Sequence, residues 1–366
     1  MGKRIAIFVM HRVALICITV GSAIAIAVPA LADPNIAAAN AAMAAVVQRA
    51  KAPGAGFAVG DGGRIVDVKG FGYADVAART PVGPDTMFAL ASCSKPITAM
   101  AIMKLVEERK VTLETPAFAF LGIRSVTDPR AAAITIENLL NHSSGLPHDV
   151  AANTDDPMNT AHAAAGAHLQ FAPGTQQAYS NAGFNVLGAV IEKASGMRYS
   201  DFVEANVFRP AGVTRFGMLE SPSVIPGQAV RYGKNGRPVV NGRGEGGTPA
   251  GGWILSPSDI VRVLMAYDAG KIVSPASRAA MLAPPVAPLR LRSNGSAFGL
   301  GWDVVLRSGG DPNAVFYGKN GGIQGTSTWI EHRPDGIDFA AFYNGGNGSG
   351  AHRPGLTGVE RALDGR

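Results

Sequence analysis

Apolar residues recur at helical spacing through the Ala-rich stretch Asn35 to Lys51, and Pro53-Gly54 ends the pattern. Two short apolar runs follow, around Gly56, Phe57 and Val59 and around Ile65, Val66 and Val68. Asp61-Gly62-Gly63 lies between them, which predicts an antiparallel hairpin. Gly70 to Pro84 reads as a loop, and the next helix opens near Ser92 and runs to about Arg109. Val111 to Ile123 reads as an irregular connection. A helix capped by Thr135 then covers Ile136 to Leu140 and stops at Asn141-His142-Ser143-Ser144-Gly145-Leu146-Pro147. Further helices are predicted over Ala182 to Lys193 (ended by Gly196), over Asp201 to Phe208, and from Ser256-Pro257-Ser258-Asp259 through Ala269. The last third returns to strands, at Phe298 to Leu306, Ala314 to Gly322, Ser327 to Glu331 and Ile337 to Tyr343, with Asp335-Gly336 turning the final pair. The pattern predicts an α+β fold, an α/β sandwich: one antiparallel sheet built from both chain ends and flanked by helices, with a mostly helical region inserted at about 112–269.

Composition narrows the class. The 366 residues are 47% hydrophobic and 16% charged, which suits a globular chain with an ample core and excludes disorder over most of its length. Lys3, Arg4 and Arg12 precede an apolar run from Val13 to Pro29, and Ala30-Leu31-Ala32 offers a small-x-small cleavage site, so residues 1–32 read as a secretory signal. The protein is then periplasmic or secreted, or membrane-anchored if the signal is not cleaved, with no stable span after cleavage. Ile16 before Cys17 is too large for the usual lipid-attachment signal. Cleavage lowers the charge from +6 to +3, too mild for a nucleic-acid partner, and leaves 33–366 as one domain. It also leaves Cys93 as the only cysteine, expected to be a small buried packing residue.

Candidate chemistry begins with Ser92 and Lys95, three apart and therefore on one face of the predicted helix. A serine hydroxyl needs a base to become a nucleophile, and a lysine amine with a lowered pKa can serve. Tyr179-Ser180-Asn181 opens a second helix downstream. Tyr-Gly-Lys-Asn-Gly occurs twice: at Tyr232–Gly236 it needs only to be a turn, whereas Lys319-Asn320-Gly321 lies on a strand beside further glycines that let a ligand approach the backbone. His142 on a Ser/Gly turn is expected to be structural. No Gly-x-Ser-x-Gly and no His-Glu-x-x-His occurs, which disfavours an α/β-hydrolase and a zinc hydrolase, and no cofactor or metal is called for.

Ser92-x-x-Lys95, Tyr179-x-Asn181 and Lys319-Asn320-Gly321, in this order, resemble the active-site triplet of penicillin-recognising serine hydrolases. The nearest branch is the group of class C β-lactamases, D-alanyl-D-alanine carboxypeptidases and related esterases. Leu139 to Leu146, the Phe171-x-Pro173-Gly174 turn and Gly299-Leu300-Gly301-Trp302 add to the likeness, which spans about Ala52 to Tyr343. The resemblance implies a β-lactamase/penicillin-binding-protein-like fold and cleavage of an amide, lactam or ester through an acyl-Ser92 intermediate. Lys95 and Tyr179 share the proton, and the ammonium groups of Lys95 and Lys319 are expected to lower the Tyr179 pKa. Asn181, Lys319, Asn320, Gly321 and Gly322 are expected to bind a small-molecule or peptidoglycan-derived substrate, with the backbone N–H groups of Ser92 and Gly322 as oxyanion hole. Asn320 replaces the usual threonine, a change that bears on β-lactam affinity, while Lys319 favours a substrate with a nearby carboxylate. The foremost activity is β-lactamase or carboxypeptidase-like. A small-ester esterase and a non-catalytic penicillin- or peptidoglycan-binding protein are the alternatives.

Overall fold

A computed structural model describes residues 34–124, 127–150, 156–219, 224–240, 249–291, 295–306, 315–345 and 353–364. The expected signal at 1–32 lies outside the described residues. Strands, in chain order, are β1 (Gly54–Asp61), β2 (Arg64–Asp75), β3 (Thr80–Pro81), β4 (Phe88–Ala89), β5 (Gly217–Met218), β6 (Trp253–Leu255), β7 (Ser296–Phe298), β8 (Asp303–Leu306), β9 (Val315–Ile323), β10 (Thr326–His332) and β11 (Asp338–Tyr343). Eight of them form one antiparallel sheet in the order β3-β2-β1-β11-β10-β9-β8-β7, and β4, β6 and β5 form a small second sheet. The two chain ends meet where β1 pairs with β11, from Ala55 opposite Tyr343 to Gly60 opposite Asp338.

Side-chain alternation explains why this sheet carries helices on both faces. Phe57, Val59, Phe339, Ala341 and Tyr343 point to one side, against the helices Ile36–Ala50 and Arg353–Leu363. The first of these helices presents Ala39, Met43 and Val46 at the expected spacing. Ala58, Ala340 and Phe342 point to the other side and join the larger core. There the strand is lined with small residues because the helix Pro257–Asp268 lies close: Pro257 sits under Gly56 and Val261 under Gly60. Burying Phe57, Phe339 or Tyr343 is worth on the order of 2 kcal/mol each.

Three local expectations need correction. Gly70 to Pro84 is not a loop, because β2 runs on to Asp75 and pairs with β1 (Ala55 opposite Phe71) and then with β3. Gly70 is a packing requirement rather than a breaker: a Cβ there would stand 2.0 Å from the Val82 carbonyl oxygen. Phe298 to Leu306 is not one strand but the hairpin β7–β8, with Phe298 opposite Asp303 and the Gly299 N–H donating to Trp302 O at 3.0 Å. That turn is set by a distant partner, since Gly301 N–H donates to Leu140 O at 3.0 Å. Val111 to Ile123 contains a helix, Ala117–Leu121, which buries Phe118 and Leu121. The helical reading of about 112–269 also did not anticipate β5 and β6, which join β4 in the second sheet.

Candidate active site

Ser92 sits in a 3-10 turn, Ala91–Ser94, that leads directly into the helix Lys95–Glu107. Four hydrogen bonds fix the turn. Leu90 N–H donates to Trp253 O at 2.8 Å and Trp253 N–H to Ser94 Oγ at 3.2 Å, while Thr328 Oγ1 donates to Leu90 O at 2.7 Å and Cys93 Sγ reaches Lys319 O at 3.3 Å. Ala91, just before the serine, has φ +48°, a left-handed conformation that costs a non-glycine residue roughly 1–2 kcal/mol and is held by this clamp. Cys93 is buried in the core as expected, and burial pushes its thiol up to about 12, so it is not a nucleophile at neutral pH.

The second segment is placed by the loop that ends the Ile136–Leu140 helix. Ser180 caps the helix Asn181–Ser195 by accepting from Gly183 N–H at 3.1 Å, and its own hydroxyl donates to Pro147 O at 2.7 Å. Ser180 N–H donates to His142 Nδ1 at 3.2 Å, and the His142 ring packs on Tyr179 with centroids 4.5 Å apart. His142 is thus structural, buried with φ +60°. Tyr179 and Asn181 project from the helix opening toward Ser92.

The predicted groups converge. Tyr179 Oη donates to Ser92 Oγ at 2.6 Å, Lys95 Nζ lies 3.3 Å from the same Oγ, and Lys95 Nζ donates to Asn181 Oδ1 at 2.7 Å and to Ala250 O at 2.8 Å. Lys319 comes from β9 and places Nζ 5.0 Å from the centre of the Tyr179 ring. A cleft of about 290 Å³ opens over the serine, lined by Ser92, Tyr179, Asn181, Lys319, Asn320 and Gly322 together with His148, Phe298 and Asp303. Gly321 does not line it. A Cβ at Gly321 would meet Leu90 O and Thr328 Oγ1 at 2.3 Å and Ser92 N at 3.0 Å, so this residue lets β9 press against the serine turn.

Charge in the cleft departs from one expectation. Lys95 has no exposed surface, and burial, helped by the Lys319 charge, holds its amine well below the ordinary lysine range. Tyr179 was expected to be lowered by the two lysines, but its phenol is raised: burial dominates, the bond to Ser92 only partly opposes it, and Asp303 adds to the rise. Four groups went unnoticed in the sequence. His148 stacks on Tyr179 with centroids 5.5 Å apart, Asp149 accepts from Asn181 Nδ2 at 3.0 Å, Ala250 O holds Lys95, and Asp303 Oδ2 accepts from Lys319 Nζ at 3.0 Å. The only signal for Asp303 was its place immediately after Gly299-Leu300-Gly301-Trp302.

The antiparallel sheet is made from both chain ends and meets a Ser-Lys-Tyr cluster at its helical face. The Beta-lactamase family model matches residues 39–354, and the chain belongs to that family. It is 30% identical to penicillin-binding protein 4* of Bacillus subtilis (strain 168) over 319 residues, covering 75% of this chain and 64% of that protein. Among solved structures, the octameric penicillin-binding protein homologue of Pyrococcus abyssi is similar at TM-score 0.74 and 26% identity, covering 89% of this chain and 76% of that one. The D-amino acid amidase of Ochrobactrum anthropi SV3, solved with L-phenylalanine amide, shares the fold at TM-score 0.73 and 24% identity over 90% of this chain and 99% of that one.

Proposed function

We propose that the chain is an exported serine hydrolase that cleaves an amide, lactam or ester bond through an acyl-Ser92 intermediate, with Lys95 as general base. The hydrogen-bond inventory of Lys95 carries this reading. A neutral amine has two N–H groups and one lone pair. The carbonyl oxygens of Asn181 and Ala250 accept both N–H groups, at 2.7 and 2.8 Å, which leaves the lone pair for the Ser92 hydroxyl at 3.3 Å. Burial favours this uncharged form.

In the first half-reaction Ser92 Oγ attacks the scissile carbonyl, and its proton passes to Lys95 Nζ as the O–C bond forms. Tyr179, kept as a protonated phenol, donates to Oγ and relays the proton from Lys95 to the leaving group when the old bond breaks. In the second half-reaction water attacks the ester carbonyl, gives its proton to the same relay, and Ser92 leaves with a proton restored. Ser92 and Gly322 both line the cleft, and their backbone N–H groups are the proposed oxyanion donors; Asn181 orients Lys95. The penicillin-binding relatives and the amidase with its amide ligand support an acyl donor of this kind.

A fluorophosphonate probe and a fluorescent penicillin, each with intact-mass measurement, test the proposal on the mature protein. Wild type is expected to gain one fluorophosphonate adduct and Ser92→Ala none. A wild type that stays unmodified by both probes refutes the acyl-serine reading and favours a non-catalytic binding protein.

A further inference from the structure

We propose that Asp303 sets the charge of the substrate: ion-paired to Lys319 inside the cleft, it excludes acyl donors that carry a carboxylate beside the scissile bond and selects uncharged amides or esters. The proposal rests on the acyl-serine reading of the same cleft and adds the substrate class.

Lys319 is 1% exposed and lines the cleft. Asp303 Oδ2 accepts from that ammonium at 3.0 Å, from the neighbouring strand β8, where Asp303 stands opposite Gly318. The rings of Tyr179 and Phe298 flank the same ammonium, with centroids 5.0 and 5.5 Å away. A carboxylate arriving at Lys319 therefore finds a cation already neutralised and a second carboxylate beside it. Binding there means either like-charge contact with Asp303 or displacement of Asp303, whose side chain is only 25% exposed, from its partner.

The other basic groups near the mouth give no substitute. His148 lies 3.3 Å from the Asp149 carboxylate, and Lys95 is enclosed by Asn181, Ala250 and Ser92. Among the described residues lining the cleft, no cation stands without a carboxylate beside it. Asn320, in place of a hydroxyl, adds an uncharged amide that both donates and accepts, a suitable partner for a neutral amide or ester. An ion pair that only ties β8 to β9 is the competing account, and binding selectivity separates the two.

The test is equilibrium binding in a Ser92→Ala background, where turnover does not intervene. Isothermal titration calorimetry compares N-acetyl-D-alanyl-D-alanine with its C-terminal amide. The amide is expected to bind at least ~10-fold more tightly, because like-charge contact and desolvation penalise only the acid. Adding Asp303→Asn, or Asp303→Ser as an independent variant, is expected to abolish that preference and to make the acid's Kd rise with salt. The proposal is overturned if the acid binds as tightly as the amide with Asp303 present, if both variants leave the ratio within about twofold, or if neither ligand gives saturable binding. Failure of the acyl-serine reading appears elsewhere, as a wild-type Ser92 that no probe modifies, and does not alter the ratio measured here.

Discussion

Lys95→Met isolates the proposed base. Methionine keeps an unbranched stem of similar volume in a site with no exposed surface, and removes only the amine. The lost function is proton acceptance from Ser92 across 3.3 Å. General-base catalysis is worth roughly 10²–10⁴ in rate, or about 3–5 kcal/mol of barrier. The variant also strips a donor from Asn181 Oδ1 and Ala250 O, at roughly 1–3 kcal/mol for each acceptor left dry. It is therefore expected to melt earlier but still fold, and a melting curve on the same sample separates misfolding from lost chemistry. The assay is the second-order rate of fluorophosphonate acylation against pH. Because the Lys95 amine is held below its usual range, the reactive neutral form grows in as pH rises from the acid side and is complete on a plateau. A Tyr179 phenolate predicts the same rise displaced far to the alkaline side, since its pKa is raised and the reactive form accumulates only in strong alkali. A wild-type rate that climbs only above pH about 10, the ordinary tyrosine range, refutes the argument. So does a Lys95→Met plateau within about tenfold of wild type.

Gly321→Ala is expected to destabilise the protein by about 1–3 kcal/mol in urea unfolding, because the new methyl group meets the Leu90 carbonyl oxygen and Thr328 Oγ1 at 2.3 Å. Unchanged stability with full acylation would show that β9 moves away from the serine turn freely. The native Cys93 thiol, pushed up to about 12 by burial, is expected to stay unlabelled by a disulfide-exchange reagent near neutral pH and to react at once in denaturant. His332 offers a pH test away from the cleft. Burial pulls its imidazolium down, but Asp268 at 2.7 Å and Asp338 at 2.9 Å outweigh that and push it up to about 9. A raised folded-state value stabilises fully below the unfolded histidine range near 6.5 and is lost as pH rises through about 9. His332→Gln should therefore cost on the order of 3 kcal/mol at pH 6 and little at pH 10, measured by chemical denaturation; equal cost at both ends would contradict it.

Much of the site was legible because its parts follow short-range rules. Ser92 and Lys95 needed only helical spacing, Tyr179 and Asn181 only a capped helix start, and Lys319 only a strand flanked by glycines. The hairpins at Asp61-Gly62-Gly63 and Asp335-Gly336 were legible for the same reason: turn chemistry is decided within four residues. Gly70 and Gly299–Trp302 misled because both answer to partners far along the chain, the Val82 backbone in one case and the Leu140 carbonyl in the other.

What the sequence determined by itself was the order of the main helices and of the central strands at both chain ends, and which reactive groups they carry. Only the tertiary structure decided that the Ala250 carbonyl and Asn181 would consume the donors of Lys95, that Asp303 would sit on Lys319, and that Tyr179 would keep its proton. The physical reason is that a pKa depends on how much water is removed from a group and on which charges surround it. Both are sums over segments distant in the chain, so no local pattern of residues encodes them.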